Sequence, residues 1–284
     1  MLTQADVHWI ELDSVDSTND YLSRAYLQGR VSGVTAVLAH SQTAGRGRAG
    51  RRWQALPGAG LCLSLGLPVA GHAVSFLPLC VGVAAAQVIE KLKVPVRLKW
   101  PNDLLVGQQK LGGVLCESFQ CNGGPVTVVG LGVNLLQPSV PEALGGQGAT
   151  GLVEHLGDQA LPQMRELADQ FATAILHAIH AASTQGIAAI FSEFNRLDAW
   201  LGCSVQVIQA RPAQRRAPIP PAASCNRPRL PMKAPRVGRV AKLPSGCTRL
   251  ASAMAQTIIS LVAVSFSSGW SRSTRSMSQR RRVR

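Results

Sequence analysis

No acidic residue occurs between Cys203 and Arg284, although that stretch carries 16 of the 29 basic ones. All 15 Asp and Glu and the other 13 Lys and Arg fall in residues 1–202. The formal charge of +14 therefore belongs to the tail, and the remainder is close to neutral, so the charge does not by itself imply a nucleic-acid partner for the whole chain. With acids at roughly 12% of an ordinary chain, so long an acid-free run has a chance probability on the order of 10⁻⁵. Cysteine pairing patterns are missing as well. The seven cysteines (Cys62, Cys80, Cys116, Cys121, Cys203, Cys225 and Cys247) are odd in number and include no Cys-x-x-Cys, which argues against a disulfide framework and against a zinc site. No long apolar run is present either: Ala73–Ile89 is interrupted by Ser75, Pro78 and Gln87 and reads as a buried helix, not a membrane span. The first 20 residues lack a basic n-region followed by an apolar stretch, so no secretory signal is expected and the cytoplasm is the default compartment.

What remains is a region of about 200 residues, rich enough in apolar side chains for one globular domain. Alternation and β-branched clusters predict strands at Val7–Leu12, Val34–His40, Gly60–Leu67, Val96–Lys99, Gly112–Ser118 and Val126–Leu131. Helical periodicity appears at Asn19–Leu27, Ala73–Lys91, Leu161–Ala182 and Ile187–Leu201. Strands adjacent in sequence, with helices only at intervals, predict an α+β fold: a mixed or antiparallel sheet backed by helices on one side. The expected organisation is a catalytic domain at 1–202, a short strand-like segment at 203–210, and a basic Pro/Arg/Ala/Ser-rich tail at 211–284 without a packed core apart from the short apolar segment Ile258–Val264.

Ser41–Trp53 follows an apolar strand and holds Gly45, Gly47 and Gly50 at G-x-G-x-x-G spacing. A dinucleotide site would need a helix directly afterwards and an acid about 20 residues on. Arg51–Gly58 is not helical in character, and Gly66–Ala70 has no carboxylate. The loop does carry Arg46, Arg48, Arg51 and Arg52 on a glycine-rich backbone. Guanidinium forks and accessible N–H groups suit a carboxylate or phosphate, and without an anion such a loop should repel itself and stay mobile. Downstream, Lys99-Trp100-Pro101-Asn102-Asp103 ends a strand, and Lys110-Leu111-Gly112-Gly113 opens the next. Asn102 and Asp103 could face a ligand or Mg²⁺, although Asn-Asp after Pro is also an ordinary turn. His177 and His180 share a helix face but lack a third metal ligand.

Asp16–Asn19 (D-S-T-N), Gln42–Trp53 (Q-T-A-G-R-G-R-x-G-R-x-W), Lys99–Asp103 (K-W-P-N-D), Lys110–Val114 (K-L-G-G-V) and Gly130–Asn134 (G-L-G-V-N) together resemble the bacterial biotin protein ligases, the biotin–[acetyl-CoA-carboxylase] ligase family. The resemblance runs from about Val7 to Gly202. It implies a class II synthetase-like catalytic domain that converts biotin and MgATP into biotinyl-5′-adenylate. The biotinyl group then passes to a lysine of the biotin carboxyl carrier protein of acetyl-CoA carboxylase or a related carboxylase. By that resemblance, Ser17, Thr18, Asn19, Gln42 and Gly113 would line the biotin pocket, and Gly45, Arg46, Gly47 and Arg48 would close over the biotin carboxylate and α-phosphate. Arg48, Arg51, Trp53, Asn102, Asp103 and Asn134 would serve ATP, with Asp103 also meeting magnesium. Lys110, Arg46 and Arg48 would be the catalytic cations. Ser17 or Thr18 would equally serve as a helix N-cap, and Trp53 and Asn134 as core and turn residues.

Two features depart from that pattern. The motifs begin within the first 20 residues, leaving no room for the winged-helix DNA-binding domain many members carry. The tail also does not resemble the small C-terminal β-barrel of the family, of which only Cys203–Gln209 could be the opening strand. Loss of every acid is what a shifted frame in a GC-rich gene produces near Gln209–Arg211, and translation of the other two frames tests this. An inactive or lipoate-type homologue and nonspecific nucleic-acid binding by the tail are the rival readings. The tail lacks a recognised nucleic-acid motif, no membrane partner is expected, and a homodimer stays open.

Overall fold

The computed structural model describes residues 7–53, 56–68, 76–138 and 148–203. The chain divides into Met1–Gly202 and Cys203–Arg284, and every described residue except Cys203 belongs to the first unit. The expected strand at 203–209, the tail and residues 73–75 of the expected second helix otherwise lie outside the described residues.

The strands are β1 (His8–Leu12), β2 (Thr35–Ala39), β3 (Gly60–Leu67), β4 (Val96–Lys99), β5 (Asp103–Val106), β6 (Gln109–Cys121) and β7 (Gly124–Asn134). The helices are α1 (Thr18–Leu27), α2 (Leu77–Lys91), α3 (Met164–Gln185) and α4 (Ala188–Leu197). One seven-stranded sheet runs β1-β2-β3-β7-β6-β5-β4. Only β1 and β2 pair in parallel, joined through α1, and every other neighbour is antiparallel. The sheet is therefore mixed, as the order of strand and helix signals predicts. Strand β5 escapes the sequence pattern because its four residues follow a turn motif and close a two-residue hairpin at Gly107-Gln108, where Gly107 takes φ +58°. The β6–β7 ribbon turns at Asn122-Gly123.

The two faces of the sheet do different things. Alternation sends Leu38, Leu61, Leu63, Leu65, Leu131 and Val133 to one face, where they form the main core with α2 and α3. Helix α2 is buried along almost its whole length, which accounts for its apolar composition without a membrane. Among the described residues, no helix is long and apolar enough to cross one. Helix α1 alone takes the other face, an exception to the expectation of helices on one side. Its Leu22 and Tyr26 pack on Val37, Val126 and Val128. Ser17 caps α1, its hydroxyl accepting from the Asp20 N–H at 3.4 Å. Since α1 covers only part of this face, the remainder is free to be a site.

Candidate functional site

Next to the N-terminus of α1, the uncovered part of the sheet carries residues with little or no side chain. The pairings Ser64↔Gly130, Cys62↔Gly132 and Gly113↔Gly132 put Cys62, Ser64, Gly113, Gly130 and Gly132 on one face of β3, β7 and β6. Above them lies a cavity of about 820 Å³. Its lining includes Ser17, Thr18, Asn19, Gln42, Arg46, Gly47, Arg48, Arg51, Trp53, Asn102, Asp103, Lys110 and Gly113. Thirteen of the fifteen expected site residues, scattered between positions 17 and 113, thus meet in one space. The other two, Gly45 and Asn134, do not line it.

One end of the cavity is uncharged and already networked. Gln42 Oε1 accepts from the Thr18 N–H at 2.7 Å and lies 3.1 Å from the Thr18 hydroxyl. Ser64 Oγ lies 2.7 Å from both Thr18 Oγ1 and Asn19 Oδ1. The Asn19 amide nitrogen donates to the Leu115 carbonyl at 3.3 Å and to Glu117 at 3.1 Å. Ser17, Thr18, Asn19 and Ser64 are all buried, so their orientations are fixed by these bonds before a ligand arrives. Glycine is required beneath them: a Cβ on Gly130 would collide with the Asn19 amide.

The arginine loop forms the lid. Its root is a short ladder in which Trp53 N–H donates to the Gly45 carbonyl at 2.8 Å and Gly47 N–H to the Arg51 carbonyl at 2.7 Å. Gly45 is buried, and any side chain there would strike Trp53 backbone and Gln42, so it braces the loop. The tip, Arg48–Gly50, is a single 3-10 turn with Ala49 at φ 55°, in the left-handed region that non-glycine residues seldom occupy. The four arginines are not alike. Arg46 is held by Asp20, with Nε donating to Oδ2 at 2.9 Å, and by Glu117 at 2.7 Å. Those carboxylates, Asp20 first, push its pKa further above the usual guanidinium value. Among the described residues, the Arg48 side chain hydrogen-bonds only the neutral Asn102 amide oxygen, at 3.2 Å. Arg51 and Arg52 are exposed and form no ion pair among the described residues. The expectation that the whole loop repels itself is therefore corrected at its root, where two acids from other elements balance Arg46.

At the other end, Lys110 Nζ pairs with Asp103 Oδ1 at 2.7 Å, both side chains being mostly buried. In a regular strand Lys110 and Gly113, three apart, would point to opposite faces. The β5–β6 register shifts between Leu104 and Leu105, and this bulge leaves both on the cavity side. Asn102 ties the lid to the sheet, its amide nitrogen donating to the Val114 carbonyl at 3.1 Å. Among the described residues no group of three His, Cys, Asp or Glu could hold a metal. A magnesium ion at Asp103 would thus draw its other ligands from phosphates and water, as Mg²⁺ on a nucleotide commonly does.

Trp53 lies against Gly132, which has no room for a Cβ beside the indole, with Lys110 Nζ 5.9 Å from its ring centre. Its indole N–H is buried without a hydrogen-bond partner among the described residues. It lies beside Cys62, whose thiol is pushed up to about 12 by burial, with the indole acting in the opposite direction. Asn134 is buried, and its amide nitrogen donates to the carbonyls of Lys110 at 3.3 Å and Thr150 at 3.1 Å. It holds the strand bearing Lys110 and does not reach the cavity. Sequence reasoning missed Asp20, Ser64 and Glu117. Only the D-S-T-N-D run hinted at Asp20, and nothing local marks the other two.

One cavity thus combines an uncharged end, an arginine loop and the Lys110–Asp103 pair. Residues 11–134 match the Biotin/lipoate A/B protein ligase family, so the chain carries a domain of that type over this stretch. Proteins named as biotin ligases are among those it resembles. The chain is 34% identical over 206 residues to the bifunctional ligase/repressor BirA of Escherichia coli, spanning 69% of this chain and 61% of that protein. It is 41% identical over 140 residues to the biotin–[acetyl-CoA-carboxylase] ligase of Mycobacterium tuberculosis, spanning 45% and 51%. The Aquifex aeolicus biotin protein ligase, solved in complex with biotin and ATP, superposes with a TM-score of 0.58 at 29% identity, covering 69% of this chain and 80% of that one. The chain thus spans about half to 61% of the length of these two curated relatives.

Proposed function

We propose that this chain activates biotin with ATP and passes the biotinyl group to a lysine of a biotin carboxyl carrier protein. The carrying observation is a single cavity with a prearranged uncharged end at Thr18, Asn19 and Gln42 and a cationic end at Arg48, Arg51 and Lys110. A fused ureido ring needs donors and acceptors without net charge. Its carboxylate and a triphosphate need cations that let two anions approach. A biotin carboxylate oxygen attacks the α-phosphorus of ATP, an acyl–phosphate anhydride forms, and pyrophosphate leaves. Lys110 and Arg48 bear on the oxygens that carry charge in that step, and Asn102 positions Arg48. Asp103 would be the residue to hold a magnesium ion carried on the triphosphate, which would supply further neutralisation. A neutral lysine amine of the carrier then attacks the acyl carbon, an amide forms, and AMP departs with the bonding pair while the amine loses its proton. The cytoplasm is the compartment proposed, on the strength of free cysteines at all five described positions.

Pyrophosphate–ATP exchange tests the first step. The expected result is exchange dependent on biotin, followed by mass gain on an isolated carrier domain. Exchange supported by lipoate or octanoate but not biotin would replace this reading with the lipoate-type one, and no exchange with any of these acids would refute catalysis by this chain.

A further inference from the structure

Arg46 differs from the rest of its loop in its company. Two carboxylates from different elements, Asp20 on the first turn of α1 and Glu117 on β6, both hold its guanidinium. An anionic ligand would have to displace two anions from Arg46, whereas among the described residues Arg48 hydrogen-bonds a neutral amide and no carboxylate. Glu117 adds a second fact. The oxygen that accepts from Arg46 at 2.7 Å also accepts from the Asn19 amide at 3.1 Å, and Asn19 lines the uncharged end of the cavity. We propose that Arg46 is an anchor and not a ligand: Asp20 and Glu117 are positioning residues that hold the lid shut, with Glu117 coupling lid closure to occupancy of the pocket at Asn19. A ligand that takes the Asn19 amide leaves the Glu117 oxygen wholly to Arg46, so binding at the pocket floor tightens the anchor. Through reciprocity, a closed lid favours binding at the floor. The identity of that ligand rests on the biotin reading; the anchor does not.

The test compares the full chain with Asp20→Asn and Glu117→Gln. Tryptic cleavage after Arg48, Arg51 and Arg52, measured without ligand, reports lid opening and needs no activity. Weakening a charge-assisted bond at a partly exposed pair is expected to speed it about tenfold in each variant. In pyrophosphate exchange, KM for biotin and for ATP should rise about tenfold with kcat within about twofold, because the competent fraction falls while saturating ligand restores it. Unchanged cleavage would overturn the anchor. So would unchanged or improved kcat/KM, since acids that merely sequester a ligand-binding arginine should help when removed. If Glu117→Gln does not fold, Asp20→Asn, on an open helix turn, carries both measurements. A wild-type chain without biotin-dependent exchange would defeat the functional reading and leave the cleavage comparison to decide the anchor alone.

Discussion

Replacing Gly130 by alanine puts a methyl group where the Asn19 amide lies. Asn19 cannot simply swing aside, because its side chain is tied to Ser64, the Leu115 carbonyl and Glu117. Moving it forfeits three hydrogen bonds, each with a net value near 1 kcal/mol, or about 2–3 kcal/mol in all. For a domain of this size that lowers Tm by about 5–10 °C. Asn19→Ala should cost about as much, since it deletes the same bonds without a clash. The two changes together should then cost no more than either one, because the new methyl finds the space Asn19 has vacated. Thermal unfolding of the two single variants and the double variant gives the cycle, and pyrophosphate exchange gives KM for biotin, expected to rise about tenfold in all three. Additive losses, or a Gly130→Ala protein within about 0.5 kcal/mol of wild type, would refute the claim that this glycine exists to seat Asn19.

Lys110→Met is expected to lower exchange by about 100-fold or more, and to destabilise the fold by stranding the mostly buried Asp103 carboxylate; Lys110→Met/Asp103→Asn should melt higher than Lys110→Met, which differential scanning calorimetry checks. Of the described cysteines, Cys203 is exposed, whereas burial pushes Cys80 up to about 11 and Cys62 and Cys116 up to about 12. At pH 8, peptide mapping after a brief pulse of a thiol reagent should find label on Cys203 and none on those three. Arg196 holds the Glu90 carboxyl below its ordinary value. The stabilisation is therefore present above the unfolded carboxylate range and lost as pH falls through the lower folded value. Glu90→Gln should cost less than about 1 kcal/mol at neutral pH, the pair being partly exposed, and nothing in strong acid, as urea titrations at several pH values would reveal.

Much of this site is legible in sequence because its chemistry is written in local clusters. Arginines on a glycine backbone, Lys110 beside two glycines and the cap at Ser17 each carry their meaning within a few positions. The acids that anchor Arg46 are not legible in that way, since Glu117 lies 71 residues away and reads as an ordinary polar position on a strand. Ser64 likewise breaks an apolar run with no sign that it supports Thr18 and Asn19. Asn134 misleads in the opposite direction: a polar residue closing an apolar strand suggests a ligand, yet tertiary contacts spend both amide protons on backbone carbonyls. Lys110 and Gly113 defeat simple alternation, because only the β5–β6 bulge brings residues three apart to one face. Strand β5 was hidden by the turn before it.

The glycines of the cavity floor have tenants. Gly130 lies under Asn19 and Gly132 under Trp53, each too close to carry a Cβ, whereas a Cβ on Gly113 would meet the Lys110 ammonium in ordinary contact. A population of mutating sequences meets this floor as a set of locked pairs: enlarging a glycine evicts a residue the site uses, and shrinking the tenant first removes the contact it makes. Descent toward a differently shaped ligand therefore runs through double substitutions at the floor.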